Sequence, residues 1–163
     1  MQGKTVHIVR HGKAVQDAYH IEDFDRPLTE RGILNSILVS KKFISQYAVP
    51  DLIVTSHAAR AMHTAYIFAR ELSYPSDCVL VDENLYFGGY KVIYSSLEDL
   101  PEDIGSVMIV GHNPDLTTLA NRLGAQIDEI STSGVVTVCF DTDSWSKIDS
   151  AGTSCSFLDK KEC

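Results

Sequence analysis

Arg10-His11-Gly12 closes the apolar run Thr5-Val6-His7-Ile8-Val9, and far down the chain Gly111-His112-Asn113-Pro114 closes a second run, Val107 to Val110. Arg60 follows a third, Leu52 to Thr55. If these runs are parallel strands of one sheet, their carboxyl ends bring two imidazoles and two guanidiniums to one edge, and the crevice beyond that edge is where open α/β sheets bind ligands. The residue types suit a phosphoryl group. Its transfer spreads negative charge over the equatorial oxygens while entering and leaving atoms lie in line, so fixed cations and helix N-termini carry much of the catalysis. Arg10 and Arg60 can each fork onto those oxygens, and a helix starting just after His112 aims free N–H groups at the same place. An imidazole with a reference pKa of about 6.5 is substantially neutral near pH 7, so His11 can attack phosphorus and carry the phosphoryl group until water removes it.

Taken singly, each feature has a plainer explanation. Arg-His-Gly is an ordinary turn, His112 a capping or packing histidine, and Arg60 a solvated residue of a helix's first turn; only their convergence on matching strand ends argues for chemistry. Arg26, in a polar segment, is equally a fourth phosphate contact or a surface residue. His7 reads as a strand-face residue, and His20, His57 and His63 as loop or helix-surface residues, with His57 and His63 flanking Arg60 at the rim.

The apolar segments alternate between strand and helix periods, as in an α/β domain, with no repeat, linker or low-complexity tract. After the first strand, Ala14 to Arg26 lacks a period and reads as a loop over the site. Thr29 caps a helix with the apolar face Ile33, Leu34, Ile37, Leu38, Ile44 and Tyr47. Pro50-Asp51 restarts the chain as the second strand. Ala61, Ala65, Phe68, Ala69 and Leu72 place a helix over Ala58 to Leu72, ended by Pro75. Cys78 to Val81 reads as a short strand, Gly88-Gly89 as a turn, and Val92, Ile93, Leu97 and Leu100 as the inner face of a further helix. Ser106 to Gly111 is the next strand. Asn113 is the N-cap of a helix with Pro114 at its first position and Gly124 after its last turn. Val135 to Phe140, a turn at Asp141 to Ser144, and Trp145 to Ile148 read as a closing hairpin, with Cys155 to Leu158 an edge strand.

The 163 residues correspond to one domain, spanning 1–163, that buries roughly 70% of its unfolded surface. Twenty-two acidic residues against fourteen Lys and Arg give a net charge of −8, which argues against a nucleic-acid footprint or an anionic-membrane patch. Cys78, Cys139, Cys155 and Cys163 form no CxxC pair or zinc-spaced cluster, so they read as buried or free thiols of a reducing compartment. Met1 to Lys13 has no long apolar stretch, and no run reaches about 18 apolar residues. A cytoplasmic location follows as the expectation.

Ile8-Val9-Arg10-His11-Gly12, Arg26-Pro27-Leu28-Thr29 with Gly32, Thr55-Ser56 with Arg60-Ala61 and Thr64-Ala65, and Val110-Gly111-His112-Asn113-Pro114 together resemble the histidine phosphatase superfamily, also called phosphoglycerate-mutase-like, and within it the small SixA-type phosphohistidine phosphatases. The likeness spans nearly the whole chain. It implies a three-layer α/β/α sandwich on a mostly parallel mixed sheet, in a minimal form without the cap of larger relatives. It also implies His11 as the phosphohistidine-forming nucleophile, Arg10, Arg60 and His112 around the phosphate with Asn113 beside them, and neither metal nor cofactor. The substrate would be a phosphohistidine protein or a small phosphorylated molecule.

The chain departs from that pattern in two places. Many relatives protonate the leaving oxygen with a carboxylate four residues before a glycine, and counting back from Gly88 gives Asn84. Asp82 and Glu83 are adjacent, which makes Glu83 the candidate acid. Lack of a general acid forfeits about 10²- to 10⁴-fold for a poor leaving group but matters less for imidazole, which favours phosphohistidine over sugar phosphates. The second departure is His63, where relatives commonly have glutamine. Among rival motifs, Asp141-Thr142-Asp143 resembles the aspartate signature of haloacid-dehalogenase-type phosphatases, but Trp145 stands where Thr or Val belongs, and the segment reads as a turn. No cysteine has an arginine six residues on, and there is no P-loop, GxGxxG or HExxH. The alternatives that remain are a broad small-molecule phosphomonoesterase and, in a different class, a non-catalytic module that binds phosphate or phosphohistidine.

Overall fold

Strand alternation sets the layers. In β1 (Lys4–Arg10) Val6 and Ile8 face one side of the sheet and His7 and Val9 the other, all of them buried, as side chains of period two require when both faces are covered. The computed structural model describes residues 3–16 and 20–161. Six strands lie in the order β3-β2-β4-β1-β5-β6: β2 (Leu52–Thr55), β3 (Leu80–Val81), β4 (Ser106–Gly111), β5 (Val135–Phe140) and β6 (Thr153–Leu158) complete the sheet. β1 to β4 pair in parallel, whereas β5 runs antiparallel to both β1 and β6.

On one face α1 (Glu30–Ile44) and α2 (Ala59–Glu71) pack Val39, Phe43, Ala65 and Phe68 against Val9, Ile53, Met108 and Val110. On the other, α4 (Gly89–Glu98), which follows the short α3 (Asn84–Phe87), and α5 (Asp115–Arg122) set Ile93, Leu97, Leu116 and Leu119 on Val6, Ile8, Val107 and Ile109. This is the three-layer sandwich on a mixed sheet that the sequence implied. Among the described residues no helix is long and apolar enough to cross a membrane.

The inner face of α1 differs from the expected one. Leu34, Leu38 and Ile44 are exposed, and Gly32, Ser36, Val39, Ser40 and Phe43 face inward. Close approach is the cause. Any Cβ on Gly32 would collide with the backbone of Lys13, so this turn of the helix lies against the chain leaving β1. Ser36 Oγ donates to Gly32 O at 2.8 Å and Ser40 Oγ to Ile37 O at 2.9 Å, so their burial leaves no polar group unpaired. Thr29 caps the helix as expected, its hydroxyl accepting from Gly32 N at 3.0 Å.

The closing hairpin is also differently built. Trp145–Ser150 is a 3-10 turn, and β6, starting at Thr153, is the strand that pairs with β5. The fully buried Trp145 donates its indole N–H to Ile104 O at 2.8 Å and packs with Ile148 under α4; a hairpin strand would have held it at the sheet rim. Cys78 belongs to a 3-10 turn before β3, and Gly88-Gly89 is the junction between α3 and α4, with Gly89 at φ +73. Val92 is exposed, while Ile93 and Leu97 point inward. The α2 face is as expected. In the segment after β1, Ala14 bridges to Leu28 and Asp23–Asp25 forms a 3-10 turn; residues 17–19 lie outside the described residues. Cys78, Cys139 and Cys155 are free thiols, the first two exposed, and Cys163 lies outside the described residues.

Candidate active site

Parallel register brings the two histidines together. Arg10 pairs with Gly111 at the ends of β1 and β4, so the next residue of each strand, His11 and His112, leaves the sheet at the same point. His11 N donates to Gly111 O at 3.0 Å, and the two rings lie 5.2 Å apart. On the other side of β4, Ser56 N donates to Val110 O at 3.0 Å, which sets Ser56 Oγ 2.8 Å from His112 Nε2. Three residues later α2 starts, and its first turn carries the buried Arg60.

His11 Nδ1 is 2.7 Å from the carbonyl oxygen of Gly12. A carbonyl only accepts, so Nδ1 carries the hydrogen and the neutral ring keeps its lone pair on Nε2. Arg60 Nε donates to that nitrogen at 3.3 Å. Burial pulls the His11 pKa from 6.5 to about 4, with Arg60, Arg10 and Arg26 adding to the fall and the Gly12 carbonyl opposing it. His112 drops to about 3, first through burial and then through His11 and Arg60. Both rings are therefore neutral at pH 7. Arg10 is anchored through one terminal nitrogen, Nη1, to Ile130 O at 2.8 Å and Glu129 Oε1 at 3.0 Å. Its Nε and His112 Nδ1 are buried without a hydrogen-bond partner, an uncommon condition for buried polar atoms.

Asp23 joins this group, although the sequence reading passed it over. Its backbone oxygen accepts from Arg60 Nη1 at 2.6 Å and its Oδ2 from Arg60 Nη2 at 3.1 Å. Tyr86 OH donates to the same Oδ2 at 2.6 Å. The Tyr86 hydrogen bond above all, then Arg60 and Arg26, hold the carboxyl at about 2 against the opposing effect of desolvation, and the Asp23 carboxylate in turn raises the Tyr86 hydroxyl. Asp23 sits in an aperiodic polar segment, where no pattern marks one acid above its neighbours; its position three residues before Arg26 was the only signal.

The structure thus gathers His11, Arg60, His112 and Arg10 and leaves other expected contacts outside. The Arg26 guanidinium is occupied by Asp23 Oδ1, at 2.9 Å and 3.0 Å, and by Val15 O at 3.1 Å, so it reaches His11 only through its field. The Asn113 amide donates to Ile130 O at 3.0 Å and accepts from Thr117 N at 3.2 Å; the N-cap of α5 is Pro114 rather than the expected Asn113, so Asn113 bonds the first turn from one residue further out and ties it to the loop that holds Arg10. Helix α5 itself begins at Asp115, one residue beyond Pro114. Glu83 is exposed at the start of α3 and makes no hydrogen bond or ion pair to either histidine, and Asn84 lines an apolar cavity of about 390 Å³ between β3 and α4. His63 and His20 are exposed, and His57 packs in the rim against Phe24 at 4.5 Å. His7 bonds Thr137 Oγ1 at 2.9 Å inside the sheet. Among the described residues no three His, Cys, Asp or Glu side chains gather as a metal-ligating group.

Comparison with known proteins gives a consistent result. Residues 6–85 match the model of the histidine phosphatase superfamily (branch 1). An uncharacterized protein of Picosynechococcus sp. is 31% identical over 120 residues, 72% of each chain. The solved structure of the protein histidine phosphatase SixA complexed with tungstate superposes with a TM-score of 0.82 at 26% identity, covering 97% of this chain and 98% of that one. A candidate phosphohistidine phosphatase SixA from Agrobacterium tumefaciens gives 0.78 at 26% identity over 95% and 97%.

Proposed function

Because this chain belongs to the histidine phosphatase superfamily and is a phosphatase of that fold, we propose that it is a protein phosphohistidine phosphatase of the SixA type, working through a phosphohistidine on His11. The observation that supports this reading best is the His11 ring itself, with Nδ1–H held on the Gly12 carbonyl at 2.7 Å and Nε2 turned to Arg60 Nε at 3.3 Å. In the first step the Nε2 lone pair bonds phosphorus, and the phosphorus–nitrogen bond of the substrate breaks. The departing imidazole keeps the electron pair and takes a proton from solvent. In the second, a water oxygen attacks phosphorus, the His11–phosphorus bond breaks, its pair returns to Nε2, and the water proton passes to solvent.

Arg10 Nε and His112 Nδ1, both buried and unpartnered, are donors for the equatorial oxygens, with Arg60 beside the attacking nitrogen. In the neutral His112 ring this requires the hydrogen on Nδ1, with Nε2 accepting from Ser56 Oγ at 2.8 Å. The relative with 26% identity binds tungstate, an oxyanion of the same tetrahedral shape. The exposed position of Glu83 and the low pKa of Asp23, kept ionised by Tyr86 and Arg60, leave neither as a proton donor for the leaving atom, which suits imidazole better than an alkoxide. Acid-free quench of the enzyme with labelled phosphohistidine peptide tests the reading. Wild type is expected to carry an acid-labile, base-stable phosphoryl group that His11→Ala lacks, and turnover or labelling retained by that variant overturns it.

A further inference from the structure

We propose that a wall of aromatic rings beside the two histidines selects a planar leaving group, the imidazole of phosphohistidine; this rests on the phosphatase reading above. The rings form an unbroken series from the reacting nitrogen to the surface. His112 lies 5.2 Å from His11 and 5.2 Å from Tyr86, the latter edge to face at 88°. Tyr86 meets Phe87 at 4.6 Å and His57 at 5.6 Å, and His57 meets Phe24 at 4.5 Å. Three separate stretches of chain supply them: the 3-10 turn of Asp23–Asp25, the link from β2 to α2, and α3. Polar contacts hold the assembly, since Asp23 bonds both Arg60 and the Tyr86 hydroxyl.

Phe87 ends the series and is 71% exposed. Lone exposed apolar residues are commonplace, but this one continues a packed series that begins at the proposed nucleophile. In-line displacement puts the leaving nitrogen on the far side of phosphorus from His11 Nε2, directed out of the crevice and towards its mouth, where α3 and the Asp23–Asp25 turn stand. A ring one bond from phosphorus then comes within reach of Tyr86 and Phe87. Aromatic faces favour offset or edge contact with a planar ring. The one proton it takes up as it leaves makes it a neutral imidazole, so the contact is ring on ring. An alkyl phosphate offers no ring. The wall thus provides at the leaving group a discrimination that neither Glu83 nor Asn84 supplies.

The test is the ratio of kcat/KM for a phosphohistidine peptide to that for phosphoramidate, which has the same phosphorus–nitrogen bond and no ring. Wild type, Phe87→Leu and Phe87→Trp are compared, with nitrophenyl phosphate as a third substrate. Phe87→Leu is expected to lower the ratio by about 3- to 10-fold, the scale of one aromatic pair, and Phe87→Trp to restore it. Phosphoramidate turnover also reports that each variant is folded. An unchanged ratio in Phe87→Leu overturns the ring wall while leaving the phosphatase reading intact. A comparable loss on nitrophenyl phosphate, whose leaving group is also a planar ring, is expected, and no loss there overturns ring contact as the cause. If wild type hydrolyses neither phosphorus–nitrogen substrate, the phosphatase reading itself fails.

Discussion

Acidification of the free enzyme is the perturbation that probes the site most directly. His11 is expected to titrate near pH 4, because burial and then Arg60 and Arg10 disfavour its cation. At pH 5 a group with a pKa of about 4 is still roughly 90% neutral, whereas an ordinary histidine at about 6.5 is only about 3% neutral. The two cases differ about 30-fold in available nucleophile. Nitrogen NMR of histidine-labelled protein reads both midpoint and tautomer: the neutral ring should carry its hydrogen on Nδ1 and remain neutral to below pH 5. A midpoint near 6.5, or a neutral ring protonated on Nε2, would refute the reasoning. The same shift makes the fold acid-sensitive. The folded pKa lies below the unfolded one, so the unfolded chain takes up its proton first as pH falls, and stability is lost between about 6.5 and 4. His7, also near 4 through burial, and His112, near 3, act in the same direction. Between pH 7 and pH 4 each costs on the order of 3 kcal/mol, read as a falling urea midpoint over that range.

Replacing Arg60 or Arg10 with Ala should each lower kcat/KM for phosphohistidine peptide by about 10²-fold or more, the scale of fixed contacts to a transition state; a loss below about threefold would remove that residue from the site. Glu83→Gln should leave aryl and alkyl phosphate rates within about twofold of wild type, and a selective fall on alkyl phosphates would identify Glu83 as the acid after all. Asn84→Glu, measured on the same series, should not help unless its carboxylate reaches the leaving atom, because Asn84 lines the cavity between β3 and α4. Gly32→Ala should cost about 1 to 3 kcal/mol through overpacking against the Lys13 backbone, seen as a lower urea midpoint.

Much of the fold was legible because local rules and tertiary outcome agree. The runs that became β1, β2 and β4 are continuous and apolar, as strands covered on both faces must be, and α2 presents the small and apolar residues its spacing announced. Failures came where a side chain's surroundings outweighed its type. Leu34 and Leu38 look like core residues, yet Gly32 and Ser36 face inward because that turn of α1 lies against the chain leaving β1. Trp145 looks like a strand residue but is buried beneath α4, with its indole N–H on Ile104 O.

By itself, the sequence determined which residues stand at the carboxyl ends of the parallel strands. His11, His112 and Arg60 follow apolar runs directly or open the next helix, so backbone continuity alone sends them to one edge. What those residues can do was decided in three dimensions. Whether Arg26 reaches a phosphate or an aspartate, whether Asn113 binds anion or bonds the first turn of a helix, and whether Glu83 faces the leaving group all depend on side-chain partners far apart in sequence. The pKa of His11 belongs with them, because burial and the field of Arg60 exist only once the strand ends, α2 and the Asp23 turn have closed around one nitrogen.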